Sequence, residues 1–372
     1  MEEGVNVLIW SFISFEVVAD NYDRPNGTTR TTISNNKGQK LNIKVSQNLD
    51  NYRTYREKLI EMGHDSIKHL VAFGGWNGPH LPPGFSGSQL YEAFKEVNLL
   101  KFAGNVDDCY DDNDEKECNK KTLLTQLWDG IDWDLEGHDD IQNPQNEFSL
   151  EELNQVGEFS KLAKNDDLIV SMAPPESYLD TTTNRFSRFV NLTYPNDDWH
   201  RDFQYHGWNV YAYIMAKYGE FIDFVFVQFY ESYSHALYQT EKMGMSQSDF
   251  LVQYMESLSN NGFGYNVNFE DDDTIDLKNQ FVNLPLSKIV FGFANGWGVG
   301  SEKAIFFIPS EVKKAYTVLQ RMNLEPRGCG YWVVEEEGKS GVTLTRDLNA
   351  IINANSNDGV NDVMDGGNIK TY

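Results

Sequence analysis

Basic residues are scarce in this chain: 31 Lys and Arg stand against 56 Asp and Glu, a formal charge of −25. Such a surface repels a nucleic-acid backbone and an anionic membrane face, so neither is expected as a partner, and a neutral or cationic ligand fits better. Long apolar runs are missing as well. No segment approaches the roughly 18 to 20 consecutive apolar residues that span a bilayer, and Met1-Glu2-Glu3 has neither the basic start nor the apolar stretch of a secretory signal. Cysteine is nearly absent. Cys109 and Cys118 bracket the acidic segment CYDDNDEKEC, which reads as a solvated loop rather than a calcium site. The pair fits a local disulfide or two surface thiols equally, with Cys329 left free beside an expected strand. Two sequons, at Asn26 and Asn191, permit glycosylation in a secretory compartment.

What is present is a balance of 40% hydrophobic and 23% charged residues over 372 positions, enough for one large domain with a sizeable core. Short apolar runs recur at 5–12, 70–74, 130–136, 168–173, 224–230, 289–294 and 330–334. Helical periodicity fills the gaps at 51–61, 87–97, 122–128, 150–162, 209–218, 247–258 and 309–322, with a last helix at 345–353. Alternation of this kind is the mark of parallel strands joined by helical crossovers. No G-x-G-x-x-G turn follows a strand and no phosphate-binding loop occurs, which disfavours an open nucleotide-binding sheet. The expected fold is therefore a (β/α)8 TIM barrel, with its chemistry at the C-terminal ends of the strands. It is expected to occupy residues 1–352, decorated by insertions at 181–206 and 260–284 rich in Asn, Asp and Gly. Residues 353–372, polar and Gly-rich, read as a disordered tail.

The segment Asp129-Gly130-Ile131-Asp132-Trp133-Asp134-Leu135-Glu136-Gly137 carries the most information. Side chains alternate along a strand, so Asp132, Asp134 and Glu136 share one face and Ile131, Trp133 and Leu135 the other. The apolar partner face argues against an exposed edge strand with solvated acids. Carboxylates in line, with no His among them on the strand, make a poor transition-metal site, and no metal or cofactor is expected. Like charges repeating every roughly 6 to 7 Å in a low-dielectric interior cannot all ionise, so a proton is retained near neutral pH. A protonated carboxyl at a strand's open end is what cleavage of a glycosidic bond requires. Glu136, last in the series, is the expected donor. Asp134 and Asp132 lie behind it, and Asp129, of opposite parity, reads as a structural residue at the strand's start.

Asp129, Asp132, Asp134 and Glu136 together resemble the D-x-x-D-x-D-x-E signature of family 18 glycoside hydrolases, the family of chitinases and some endo-β-N-acetylglucosaminidases. Ala72-Phe73-Gly74-Gly75-Trp76 is similar to the family's S-x-G-G segment, with Ala72 where Ser is usual. Ser171-Met172-Ala173-Pro174-Pro175 and Val227-Gln228-Phe229-Tyr230 resemble its fifth and sixth strands, the latter in the form of the plant and fungal branch. Gly330-Tyr331-Trp332 is similar to the last strand.

The resemblance implies retaining, substrate-assisted hydrolysis of chitin, with Glu136 as general acid/base and the substrate's 2-acetamido oxygen as nucleophile. It implies that Asp134 orients the acetamido nitrogen, that Asp132 is its charge-coupled partner, and that Tyr230 donates to the acetamido oxygen. Gln228, Trp332, Trp76, Gly75 and Met172 are implied to meet the sugar, Trp332 as an aromatic floor. Trp10 and Trp297 are further aromatic candidates with core positions as their alternative. An extracellular or secretory location is implied too. In the family, the strand resembling residues 5–12 is the second of the barrel, so the first strand is missing from this chain or replaced. A strand-deficient barrel leaves edges that another segment must cover. Two other functions share the motif: an endo-β-N-acetylglucosaminidase acting on N-glycans, and a chitin-binding lectin, whose usual mark is loss of the terminal Glu, intact here as Glu136.

Overall fold

The structure, a computed structural model, describes residues 5–18, 28–46, 48–103, 126–190, 208–301 and 304–353. The Cys109 and Cys118 pair, the sequons at Asn26 and Asn191, the tail beyond residue 353, and most of the stretches 122–128 and 181–206 lie outside the described residues. The chain forms two compact units: Val7–Leu135 with Glu151–Val170, and Met1–Asn6, Glu136–Leu150 and Ser171–Tyr372.

In the unit containing Val7–Leu135 the elements are β1 (Val7–Val18), β2 (Thr28–Ser34), β3 (Lys40–Val45), α1 (Leu49–Glu61), β4 (Lys68–Gly75), α2 (Gly87–Ala103), β5 (Gly130–Leu135) and nearly all of α3 (Leu150–Asn165). The strand order is β5-β4-β1-β3-β2. β1, β4 and β5 run parallel, as expected. β4 (KHLVAFGG) is buried along seven consecutive positions, the continuous apolar run of a strand covered on both faces. Its Phe73 stacks on Trp133 of β5, with ring centroids 5.1 Å apart, and meets Phe159 of α3 edge-on at 5.7 Å. Beside β1, where a barrel's first strand would lie, β3 pairs antiparallel, joining Ile13 to Val45 and Phe15 to Ile43. β2 in turn pairs antiparallel with β3. The edge left by the missing first strand is thus covered by two short strands: TTRTTIS has no period-2 pattern, whereas KLNIKV alternates polar and apolar residues over only six positions.

In the other unit, β6 (Ile169–Met172, here through Ser171 and Met172), α4 (Ala212–Tyr218), β7 (Phe224–Gln228), α5 (His235–Leu237) and α6 (Gln247–Asn260) are followed by β8 (Gly264–Val267) and β9 (Gln280–Asn283). β10 (Ile289–Ala294), α7 (Pro309–Met322), β11 (Gly328–Trp332) and α8 (Leu344–Ile352) complete it. β6, β7, β10 and β11 lie in that order, all parallel. Phe229, Phe250, Tyr254, Phe291 and Phe307 interlock between sheet and helices, with Phe229 at their centre, 5.0 to 6.3 Å from each of the others. α7 starts on Pro309 in its first turn and stops where Asn323 turns left-handed at φ 55, the start and stop signals expected of a helix. The stretch 260–284, read as a loop insertion, holds the antiparallel pair β8-β9, with Tyr265 opposite Val282, both buried.

Each of the seven expected strands is present, and the chain is of the mixed α/β class with sequential parallel strands. In neither unit does a ladder among the described residues close the strands into a ring.

Candidate active site

β5 buries all six of its residues. Trp133 points its indole N–H at the Ser160 hydroxyl of α3, 2.9 Å away, which fixes the apolar face. Alternation then sends Asp132 and Asp134 to the opposite face, where they are 1% and 8% exposed. Their register partners on β4 are Ala72 and Gly74. Ala72 therefore sets a methyl group, not a hydroxyl, beside Asp132. Gly74 has φ 107, and a Cβ there would lie 2.4 Å from the Asp134 carbonyl oxygen, so the close approach of the two strands requires glycine. Gly75, at φ 84, yields its side-chain space to the Phe12 ring. Trp76 follows, 37% exposed.

Asp129 has a different setting. Both its oxygens accept from Arg56 Nη2 at 2.7 Å, and Oδ2 also accepts the His69 amide at 2.8 Å. It is a structural anchor, as its parity indicated. Trp10 donates to His69 Nδ1 at 3.1 Å and meets Tyr52 edge-on, inside an aromatic cluster.

In the other unit, Glu136 follows β5 directly in the chain and is 9% exposed. The Gln228 amide, at the end of β7, donates to the Ala173 carbonyl at 2.6 Å and approaches Glu136 Oε1 at 3.5 Å. Tyr230, two residues on, has its carbonyl held by the Ile305 amide, and its ring meets Trp297 edge-on, 5.8 Å between centroids. Trp297 donates its indole N–H to the Trp332 carbonyl at 2.5 Å, which also accepts the Asn295 amide at 3.2 Å. Gln228 is thus brought to Glu136, while Trp297 meets the Tyr230 ring and the backbone of Trp332, all three side chains being half-buried. Met172 is fully buried in β6.

Two acids of this unit, Glu231 beside Glu136 and Glu176 beside Glu231, escaped the sequence pattern. Burial pushes the Glu231 carboxyl up to about 8; the Tyr233 amide opposes the rise and the charge of Glu136 adds to it. Glu231 Oε2 accepts that amide at 2.5 Å. Glu176 is raised well above the carboxylate range by burial, against the pull of the Ala236 amide on its Oε2 at 3.1 Å and with the charges of Asp180 and Glu231 adding to the rise. These acids stand in the segments after β6 and β7, where no periodicity marks them. A buried carboxyl that stays protonated at neutral pH is the state needed for proton donation, and this unit contains a cluster biased to hold protons.

Among the described residues, no group of three His, Cys, Asp or Glu converges as a metal would require, and no helix is long and apolar enough to cross a membrane.

No protein-family model matches the chain, and no curated protein matches it. Among solved structures it is similar to the Group IV chitinase of Ostrinia furnacalis in complex with allosamidin, at 12% identity and TM-score 0.45, covering 94% of this chain and 91% of that one. It is similar to catalytic domain 2 of the Group II chitinase of the same insect, at 13% identity and TM-score 0.43, covering 94% and 89%. It is also similar to the spore cortex-lytic enzyme SleL of Bacillus megaterium, at 12% identity and TM-score 0.38, covering 83% of this chain and 63% of that one. At such identities and scores, none of these likenesses assigns a role to a side chain.

Proposed function

We propose that the chain is a retaining glycoside hydrolase acting on β-1,4-linked N-acetylglucosamine polymers such as chitin. The observation that carries this reading is Glu136: a carboxyl 9% exposed at the end of the acid-bearing segment, beside the Gln228 amide, in a unit where burial raises the Glu231 and Glu176 carboxyls above their ordinary range.

Glu136 protonates the leaving-group oxygen and, once it has lost that proton, activates water for the second step. No second carboxylate need attack. The substrate's 2-acetamido oxygen closes on the anomeric carbon with retention overall, Asp134 steadying the acetamido nitrogen and Tyr230 donating its hydroxyl to the acetamido oxygen. Asp132, next inward on β5, is the charge partner of Asp134. The paired rings of Tyr230 and Trp297, with the half-buried Trp332 joined to Trp297 through its backbone, support the sugar-binding part of the reading, because aromatic faces stack on the apolar C–H face of a pyranose. Gln228, Met172, Gly75 and Trp76 complete the proposed substrate contacts.

Colloidal chitin and a high-mannose glycoprotein, digested side by side by wild type and by Glu136→Gln, test the proposal. Release of chitooligosaccharides by wild type is expected, with kcat lowered about 10²- to 10⁴-fold in the variant, the range for loss of a positioned acid/base. Cleavage of the glycoprotein alone makes the chain an endo-β-N-acetylglucosaminidase. Sugar binding without product makes it a lectin.

A further inference from the structure

The backbone immediately after Glu136 is held from two sides. The Gly137 amide donates to the Tyr178 hydroxyl at 3.0 Å, and the His138 amide donates to Asn146 Oδ1 at 2.7 Å. Asn146 returns bonds through its Nδ2 to the carbonyls of His138 at 3.3 Å and Asp140 at 2.9 Å. Both side chains are 3% exposed.

Neither is placed loosely. The Tyr178 ring is walled in by Phe148, Tyr211 and Trp208, with centroids 5.9 to 6.2 Å away, and its own amide and carbonyl bond to Pro175 and Tyr211. The Asn146 carbonyl accepts the Val190 amide at 2.8 Å. Gly137 completes the device: a Cβ there would lie 2.8 Å from Asn146 Oδ1, 3.1 Å from the Tyr178 hydroxyl and 3.3 Å from Val190, so a side chain would force the two polar groups off the backbone.

Resting on the proposed role of Glu136, we infer that Tyr178 and Asn146 form a clamp on the Gly137–His138 backbone that fixes the direction of the Glu136 carboxyl. They are positioning residues, acting through the peptide and not on the sugar. A donor on a segment free to rotate would spend most of its time out of line with the glycosidic oxygen, and a displacement of about 1 Å can cost about 10²-fold in rate.

The test uses the full chain, with a chitooligosaccharide as substrate. Tyr178→Phe deletes the accepting hydroxyl and keeps the ring; Gly137→Ala keeps the hydroxyl and pushes the clamp apart. Each is expected to lower kcat by about 10- to 100-fold with KM within about 2-fold of wild type, because the loss falls on the reacting geometry and not on binding. Placed in the Glu136→Gln background, Tyr178→Phe should leave oligosaccharide affinity unchanged, which a general loosening of the fold would not. Asn146→Asp, which keeps the accepting oxygen, should retain more kcat than Asn146→Leu. Unchanged kcat in folded Tyr178→Phe and Gly137→Ala overturns the clamp while leaving the proposed function standing; absence of wild-type turnover overturns both. If neither variant folds, hydrogen exchange of the Gly137 and His138 amides in wild type decides: protection equal to the core strands supports the clamp, and rapid exchange overturns it.

Discussion

Asp129 and Asp132 stand three residues apart on the same strand approach and meet opposite conditions. Asp129 receives two 2.7 Å contacts from a single guanidinium nitrogen, whereas Asp132 sits in the strand with the methyl of Ala72 as its register neighbour. Parity along the chain distinguishes the two positions, since alternation is a local property of extended backbone. The ion pair itself was invisible in sequence, because Arg56 comes from α1, 73 residues earlier. Removing it should cost stability and leave the chemistry alone. Arg56→Ala strands Asp129 part-buried without its cation, and a loss of about 3 to 5 kcal/mol is expected in urea unfolding; an unchanged unfolding midpoint would show the pair to be dispensable. Glu231 is the converse case: nothing in Phe229-Tyr230-Glu231 distinguishes it from an exposed loop acid, and its raised pKa comes from what is packed around it.

At the level of elements, all seven parallel strands were legible: β4 and β10, buried along nearly their whole length, read as continuous apolar runs, and β5 as apolar residues alternating with acids. β2, β3, β8 and β9 were not. They are short, and only β3 (KLNIKV) alternates polar and apolar residues; the strand character of the others comes from the partner they pair with. The helices expected at 309–322 and 247–258 lie within two residues of their observed ends; in the structure Pro309 stands in the first turn of α7, and the Ser246 side chain caps α6 by accepting the Asp249 amide. Strand separation yields the prediction proper to this scale. Gly74→Ala puts a methyl group 2.4 Å from the Asp134 carbonyl at a φ of 107 that alanine rarely adopts. The expected loss is about 1 to 3 kcal/mol from the backbone alone, with further cost as β4 and β5 part. Chemical unfolding should register it. Alanine at Gly38, which meets nothing within 4 Å but also has positive φ (73), is the control that isolates the conformational part.

For the whole molecule, pH sets opposing demands. A carboxyl whose folded pKa lies above its unfolded one makes folding less favourable as pH rises, since the unfolded chain ionises first. Glu231, moved from 4.5 to about 8, therefore gives a falling contribution between those values. His69 and His235, both lowered to about 4 chiefly by burial, act in the opposite sense: the unfolded chain takes up protons below 6.5 while the folded chain does not, so stability rises from about pH 4 to 6.5. Glu231→Gln removes the falling limb. The melting temperature of the variant relative to wild type should climb steadily from about pH 5 to about pH 8; a constant difference across that range would mean that Glu231 ionises alike in both states.

The sequence by itself determined the charge balance, the succession of parallel strands and the placing of three acids at alternate positions ending in Glu136, because composition and backbone periodicity are written in local order. Tertiary structure decided the rest. It brought Gln228 to Glu136, set Trp297 between Tyr230 and Trp332, closed Tyr178 and Asn146 on the backbone of Gly137 and His138, and covered the outer edge of β1 with β3. These contacts join residues from 8 to 92 positions apart. Their existence depends on how densely packed elements exclude alternatives, a property that no stretch of local sequence carries.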